Sequence, residues 1–392
     1  MSAPVEPLRF LFLNQFVPPD PAPTARLLGD LAEELERRGH LVRRIGDSVQ
    51  YRGAKTVLGS RALREGISLA RLLFKTVAAP RADAILCLSS PPLLPVVPLL
   101  AKVRHRRARL IHWAMDLYPD VAVALGELRE GSPLHRASAR AMRRAYRACR
   151  LVVALDREMA GRIPVPAERC AIHPPWPPAA ACDFGKRNEG GSGAEPEDSA
   201  APSPFTWLYS GNLGRAHEWR DLLVAQGELE AEGLPVDLVF QGGGTERAAA
   251  EDEAARLGLR RCRWLPYAED GALLDSLLAA DALVATQRPR TAGCLWPSKL
   301  ALLRQLGRPL VWVGPDGDGI AGELRAESHG VFAPGQSRAL ASHLRGLAAS
   351  RPAVRPPDDR DALAARIEAA RGESIRRLAD EVETAATAAT AR

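Results

Sequence analysis

Short apolar runs alternate with amphipathic stretches along most of the chain. Residues 8–13 read as a buried strand. Beyond the proline-rich loop 14–23, leucines at 27, 28, 31 and 35 recur at helical spacing, which predicts a helix over 25–38 with Thr24 as its N-cap and Gly39 at its end. Residues 40–45 predict the next strand. The scheme then repeats: a helix over 61–78, a strand over 84–88, a helix running to Lys102, a strand over 109–113, a helix over 134–150 and strands over 151–155 and 170–173. Strand, loop, helix and strand in succession predict a parallel α/β sheet, whose ligands sit at the carboxyl ends of the strands.

The pattern stops at the Pro174-Pro175-Trp176-Pro177-Pro178 run and a Gly/Glu/Ser/Pro-rich stretch of 185–203, which cannot form a core of its own. It restarts with a strand over 205–209 and a helix over 218–232, then a strand over 236–240, a helix over 246–257 and a strand over 282–286. A helix begun by Pro297, with Leu300, Leu303 and Leu306 on one face, runs to Gly307 ahead of a strand over 309–313. Residues 359–384 read as one or two long helices, and 385–392 as a frayed end. The expected division is an N-terminal domain over 1–175, a flexible linker over 176–203, a C-terminal domain over 204–358, and helices over 359–392 that can cross back to the first domain.

Composition narrows the class. A chain of 392 residues suits two domains, and 46% hydrophobic with 26% charged residues suits a soluble globular protein. The longest apolar-rich segment, 85–100, is interrupted by Pro91, Pro92, Pro95 and Pro98, so no span of a bilayer is expected. The N-terminus does not read as a secretory signal, and the six cysteines lack paired CxxC spacing, which points to reduced thiols in the cytoplasm and to no metal site. A net charge of +6 is modest, and no basic stripe is interleaved with stacking aromatics, so nucleic acid is excluded as a partner. One cluster of charge is countable: Arg136, Arg140, Arg143, Arg147 and Arg150 share one helix face. That face suits contact with the inner face of an anionic membrane, and a plain solvated face is the alternative.

Chemistry concentrates just past predicted strands. Pro297, Ser298 and Lys299 place backbone N–H groups, a hydroxyl and an ammonium at a helix start, a set that suits a diphosphate; an ordinary βα turn with a lysine is the alternative. The turn Ser210-Gly211-Asn212-Leu213-Gly214-Arg215 lets the backbone approach a phosphate and adds a guanidinium, although it is neither a P-loop nor a full dinucleotide fingerprint. Gly242-Gly243-Gly244 follows another strand. Asp116, Tyr118 and Asp120 follow the strand at 109–113, where a carboxylate can serve as a base on a hydroxyl or cap a turn. Arg26 stands in the first turn after the proline-rich loop.

Four of these motifs occur in an order that resembles the GT-B glycosyltransferases, and within them GT4-like bacterial enzymes that extend surface polysaccharides. They are Asn14-Gln15 with 18–24 and Arg26; His112-Trp113 through Asp120; Tyr209 through His217; and Pro297-Ser298-Lys299 with Gly307-Arg308-Pro309. The resemblance implies an α/β GT-B fold: two Rossmann-like domains whose parallel sheets face across a cleft. It implies a nucleotide-sugar donor, with a UDP-sugar favoured, and neither cofactor nor metal. Arg215 and Lys299 would hold the diphosphate, joined by Asn212, Ser298 and the N–H groups after Pro297. Gly211, Gly214 and Gly243 would make room for the donor, and Tyr267 would lie against the base. Asp116 would be the catalytic carboxylate, with Thr24, Arg26, His112 and Tyr118 on the acceptor side. The acceptor would be a lipid-linked saccharide or a small-molecule aglycone. Ala292 and Leu302 stand where relatives carry glutamates, so Asp318 or Glu323 would bind the ribose. A non-catalytic GT-B homologue acting as a scaffold, and a GT-B-like sugar-nucleotide epimerase, are the competing readings.

Overall fold

The computed structural model describes residues 6–47, 61–179, 203–269, 272–352 and 358–388. The chain divides into two units. Unit 1 comprises Met1–Trp176, Gly293–Trp296 and Gly372–Arg392; unit 2 comprises Pro177–Ala292 and Pro297–Arg371. The predicted linker falls largely on 180–202, outside the described residues.

Unit 1 is built on six parallel strands: β1 (Arg9–Leu13), β2 (Leu41–Ile45), β3 (Ala84–Cys87), β4 (Arg109–Trp113), β5 (Cys149–Ala154) and β6 (Cys170–Ile172). Their order across the sheet is β2-β1-β3-β4-β5-β6. The strands β1, β3, β4 and β5 are mostly apolar because helices cover both faces of such a sheet, whereas the edge strand β2 has Leu41 and Arg43 exposed. The helices of unit 1 include α1 (Pro23–Arg37), α2 (Arg61–Ala78), α3 (Val96–Ala101), α4 (Asp120–Ala124) and α5 (Pro133–Ala148). Leu27, Leu28, Leu31 and Leu35 of α1 are buried, as their spacing predicts. Thr24 does not cap α1. The helix begins at Pro23 with Ala22 at the cap position, Asp20 Oδ1 accepts from the Ala22 N–H (2.8 Å), and the Thr24 hydroxyl accepts from Asn14 Nδ2 (3.1 Å). Pro23 carries no N–H to cap, so the turn is closed one step earlier than the sequence suggests. A further short helix, α6 (Arg157–Arg162), follows β5.

Unit 2 repeats the plan with β7 (Phe205–Ser210), β8 (Val236–Gln241), β9 (Cys262–Leu265), β10 (Ala282–Thr286), β11 (Leu310–Val313) and β12 (Gly330–Phe332), in the order β12-β11-β10-β7-β8-β9, all parallel. Its helices are α7 (Arg220–Ala231), α8 (Arg247–Arg256), α9 (Leu273–Ala279), α10 (Leu300–Leu303), α11 (Ile320–Ala326) and α12 (Ser337–Ala349). Trp207, Tyr209, Trp219, Leu238 and Val284 are central to its core. The helix expected from Pro297 to Leu306 is a single turn: α10 has 4 residues, and Gly307 leaves it at φ +66°.

One long helix, α13 (Arg360–Thr387), takes the place of the one or two expected. The chain passes from unit 2 into unit 1 within it, between Arg371 and Gly372. Its second half is tied into unit 1: Arg38 Nη1 reaches Asp380 (2.6 Å) and Glu383 (2.8 Å), and His40 Nε2 bonds Glu383 Oε1 (2.7 Å).

Candidate active site

In both sheets the strand order reverses once, and loops leaving the two strands at that point diverge to open a crevice. In unit 2 the reversal lies between β7 and β10, whose carboxyl ends lead to Gly211 and to Lys299. That explains why two motifs far apart in sequence meet. The Lys299 Nζ lies 3.4 Å from the centre of the Tyr209 ring, is buried, and has no hydrogen-bond acceptor among the described residues. A Cβ at Gly211 would stand 3.3 Å from it, and Gly211 has φ +123°. Burial pulls the Lys299 pKa down to about 7, since a low-dielectric site disfavours the ammonium. An ammonium held without an acceptor is costly unless an anion completes the site.

Three basic side chains lie along the neighbouring loops, His217, Arg215 and Arg288. His217 donates from Nδ1 to the Thr286 carbonyl (2.9 Å). Burial first, and then the charge of Lys299, hold its pKa down to about 3. It is therefore a neutral imidazole. Arg215 is exposed on the same loop and has no ion-pair partner among the described residues. Arg288 is committed elsewhere: its backbone N–H bonds the Ala216 carbonyl (2.7 Å) and its guanidinium pairs with Glu246 (2.7 Å). Burial would raise the Glu246 pKa, but hydrogen bonds from Trp219 and Arg288 hold it below the usual carboxylate range.

The glycine triplet is a floor for this loop. Cβ atoms on Gly242 and Gly244 would stand 2.2 Å from the Gly211 oxygen and 2.3 Å from the Leu213 oxygen, and the Gly243 carbonyl accepts from the Leu213 N–H at 2.6 Å. Gly243 has another reason to lack a side chain: the Tyr267 ring lies over it, 3.0 Å from where its Cβ would be. Tyr267 is 58% exposed, an aromatic face open to a planar ligand. Phe240 and Trp264 stack at 4.4 Å in the same unit.

Ser298 is exposed beside Lys299, while Asn212 serves the turn by accepting from Tyr209 Oη through its carbonyl (3.0 Å). With α10 a single turn, the side chains, and not a long helix dipole, carry the positive character there. Asp318 is exposed and open to a ligand, whereas Glu323 is paired with Arg304 (2.9 Å). Leu302 is buried in the core of unit 2.

Unit 1 has its reversal between β1 and β3, so the Asn14 and Ser89 loops diverge there. Asn14 is buried and donates to the Phe16 carbonyl (2.7 Å); Ser90 Oγ donates to Gln15 Oε1 (2.9 Å). Ser89 Oγ accepts from the Met115 (2.9 Å) and Asp116 (3.3 Å) N–H groups, fixing the turn that presents the Asp116 carboxylate. Asp116 is half-buried, and burial raises its pKa to about 6. The segment Gly293–Trp296 docks on this loop: Asp116 bridges Leu295, Leu117 N–H donates to the Cys294 carbonyl (2.8 Å), and Gly293, at φ +64°, has the Glu158 carbonyl 2.9 Å from its would-be Cβ. No sequence pattern signalled that docking, because it joins segments with no shared periodicity.

Arg26 is exposed in the first turn of α1, and Tyr118 is half-buried beyond Asp116. His112 is enclosed within unit 1. It is fully buried in β4, bonds the Cys87 carbonyl (3.0 Å), packs on Tyr146, and has its pKa lowered to about 4 by burial. Alternation along β4 turns it into the sheet's covering layer. Among the described residues, no group of three His, Cys, Asp or Glu side chains is placed to hold a metal ion.

Two six-stranded parallel sheets with switch-point loops define the GT-B type of fold. Solved structures share it. HepE from Anabaena, in complex with UDP and glucose, superposes with a TM-score of 0.54 at 17% identity, covering 96% of this chain and 97% of that one. The lipopolysaccharide-biosynthesis glycosyltransferase WaaG gives 0.59 at 16% identity, covering 96% and 99%, and a glycosyltransferase from Rickettsia africae gives 0.61 at 10%, covering 98% and 100%. Among curated sequences, 100 residues are 33% identical to WcaI of Escherichia coli K12, named for glycosyl transfer in colanic acid biosynthesis; the match spans 26% of this chain and 24% of that protein. No protein-family model matches the chain.

Proposed function

We propose that the protein is a glycosyltransferase that moves a sugar from a nucleotide-diphosphate sugar to an acceptor hydroxyl. The observation that carries this reading is the buried Lys299 ammonium, without an acceptor, beside the Gly211 turn whose next cation is the unpaired Arg215. A departing diphosphate needs such preorganised positive charge. A UDP-sugar is the favoured donor, supported by the UDP held by a structure of the same fold. Tyr267 would receive the base, Gly211, Gly214 and Gly243 the phosphates and sugar, and Asp318 the ribose, with Ser298 and the N–H groups after Pro297 on the diphosphate. Asp116 would act on the acceptor hydroxyl, with Arg26 and Tyr118 binding the acceptor. The reaction would retain configuration and use no metal, as in the GT4-like subtype.

The test is thermal shift and sugar-nucleotide hydrolysis with a panel of donors. UDP is expected to raise the melting temperature, and Lys299→Ala or Arg215→Ala to lower turnover by roughly 3 kcal/mol, about 100-fold. Unchanged melting with UDP, GDP and TDP would sink the reading. Binding without transfer would favour the scaffold alternative.

We also propose peripheral contact with an anionic membrane, which suits a lipid-linked acceptor. Arg136, Arg140, Arg143 and Arg147 of α5 are all exposed. In α2 the polar Ser68 and Thr76 are buried, while Leu63, Ile67 and Phe74, the last 75% exposed, face outward among Arg64, Arg71 and Lys75. Among the described residues, no helix is long and apolar enough to cross a membrane. Phosphatidylglycerol vesicles should sediment the protein at low salt, and Phe74→Ser should weaken that; sedimentation equal to that with phosphatidylcholine would refute it.

A further inference from the structure

The edge of the unit 1 sheet opposite Ser89 and Asp116 gathers a second set of cations. Arg109, Cys149 and Cys170 begin β4, β5 and β6 there. A cavity of about 160 Å³ opens between Lys102, Arg109, Arg150 and Arg169, floored by Ala108 and Leu110. Among the described residues, no carboxylate lines it. Its distance from the Asp116 loop is the length of β4, a strand of 5 residues, on the order of 15 Å.

The backbone aims these groups. Where β4 and β5 pair, Leu110 faces Cys149 and Ile111 faces Leu151, so the register skips Arg150. Such irregularities are rare between parallel strands and redirect the side chain of the skipped residue. The loop that follows Lys102 is held by His105, whose Nδ1 accepts from the Ala82 N–H (3.3 Å) and whose Nε2 bonds the Thr76 carbonyl (2.9 Å). Arg169 Nη1 donates to the carbonyls of Arg147 (3.2 Å) and Cys149 (3.3 Å), and Arg109 Nη2 to that of Ala388 (2.8 Å). The side chains of Lys102 and Arg150 have no hydrogen-bond or ion-pair partner among the described residues. Arg169 and Lys102 also oppose the rise that burial imposes on the Cys149 thiol, whose pKa still reaches about 12. Like charges turned toward one cavity repel each other unless an anion sits between them, and planar guanidiniums with a lysine suit phosphate oxygens.

We infer that this cavity is a binding site for a phosphate-bearing anion, distinct from the proposed donor site. The exposed Leu100 and Val103 flank Lys102, so the phosphate can belong to a soluble ligand or to a lipid headgroup. To keep the donor site from contributing, the full chain carrying Lys299→Ala is titrated calorimetrically with inorganic pyrophosphate, then mixed with phosphatidylglycerol vesicles. One of the two ligands is expected to bind, and adding Lys102→Ala and Arg150→Ala to weaken that binding at least about tenfold, with the melting temperature unchanged. Pyrophosphate binding alone assigns a soluble ligand; vesicle binding alone, retained in Arg136→Ala/Arg140→Ala, assigns a headgroup. If neither ligand binds, or the Lys102 and Arg150 substitutions leave binding intact, the inference is wrong.

Discussion

Lys299 and Asp116 are each moved toward neutrality by burial, in opposite chemical senses. The lysine, with its pKa lowered to about 7, carries its charge below that pH and loses it above. The aspartate, raised to about 6, is a carboxylate above that pH and protonated below. If the first holds a diphosphate and the second acts as base, kcat/KM should rise through about 6, fall beyond about 7 and form a narrow bell. In Asp116→Asn the acid limb should vanish along with most activity, and Lys299→Arg should extend the alkaline side of whatever activity remains. A profile flat through the neutral range would remove both assignments. The residue types were legible in the sequence. Their environments were not, since the Tyr209 ring beneath Lys299 and the Ser89 hydroxyl beneath the Asp116 turn arrive from elsewhere in the chain.

Among the elements, the loops after β7 and β8 fit together only because two positions, Gly242 and Gly244, lack side chains. Gly242 at φ +132° and Gly244 at φ +135° are both left-handed and in contact with backbone, whereas Gly39 at φ +91° faces open space. Gly242→Ala should therefore destabilise the protein by about 3 kcal/mol and abolish nucleotide binding, while Gly39→Ala should cost about 1 kcal/mol, both read by urea unfolding. Equal costs would mean the loop packing is not tight. At α13, Glu383→Ala strips partners from His40 and Arg38 together. A loss of about 1–3 kcal/mol is expected, because the His40 Nε2 proton is left buried and unpaired. The helix itself was legible from composition; its partners, more than 340 positions away in sequence, were not.

Over the whole molecule, UDP should slow amide exchange in unit 2 at 210–215, 242–244, 267 and 297–299, the segments that carry the proposed donor site. Protection confined to other segments would place the nucleotide elsewhere. The sequence by itself determined the α/β class, the repeated strand-loop-helix plan and the loops at which chemistry collects, because hydrophobic period and glycine or proline punctuation are local properties. The burial of His112 in β4 and the bond that Thr24 accepts from Asn14 were not readable from local spacing. Tertiary structure decided which motifs meet. Strand order is a non-local choice, and only the reversal between β7 and β10 carries Lys299 to Gly211. A turn after Pro297 was readable along the chain, but that the helix begins only at Leu300, its length, the unpaired ammonium and the docking of Gly293–Trp296 within unit 1 depend on packing partners that no window of sequence contains.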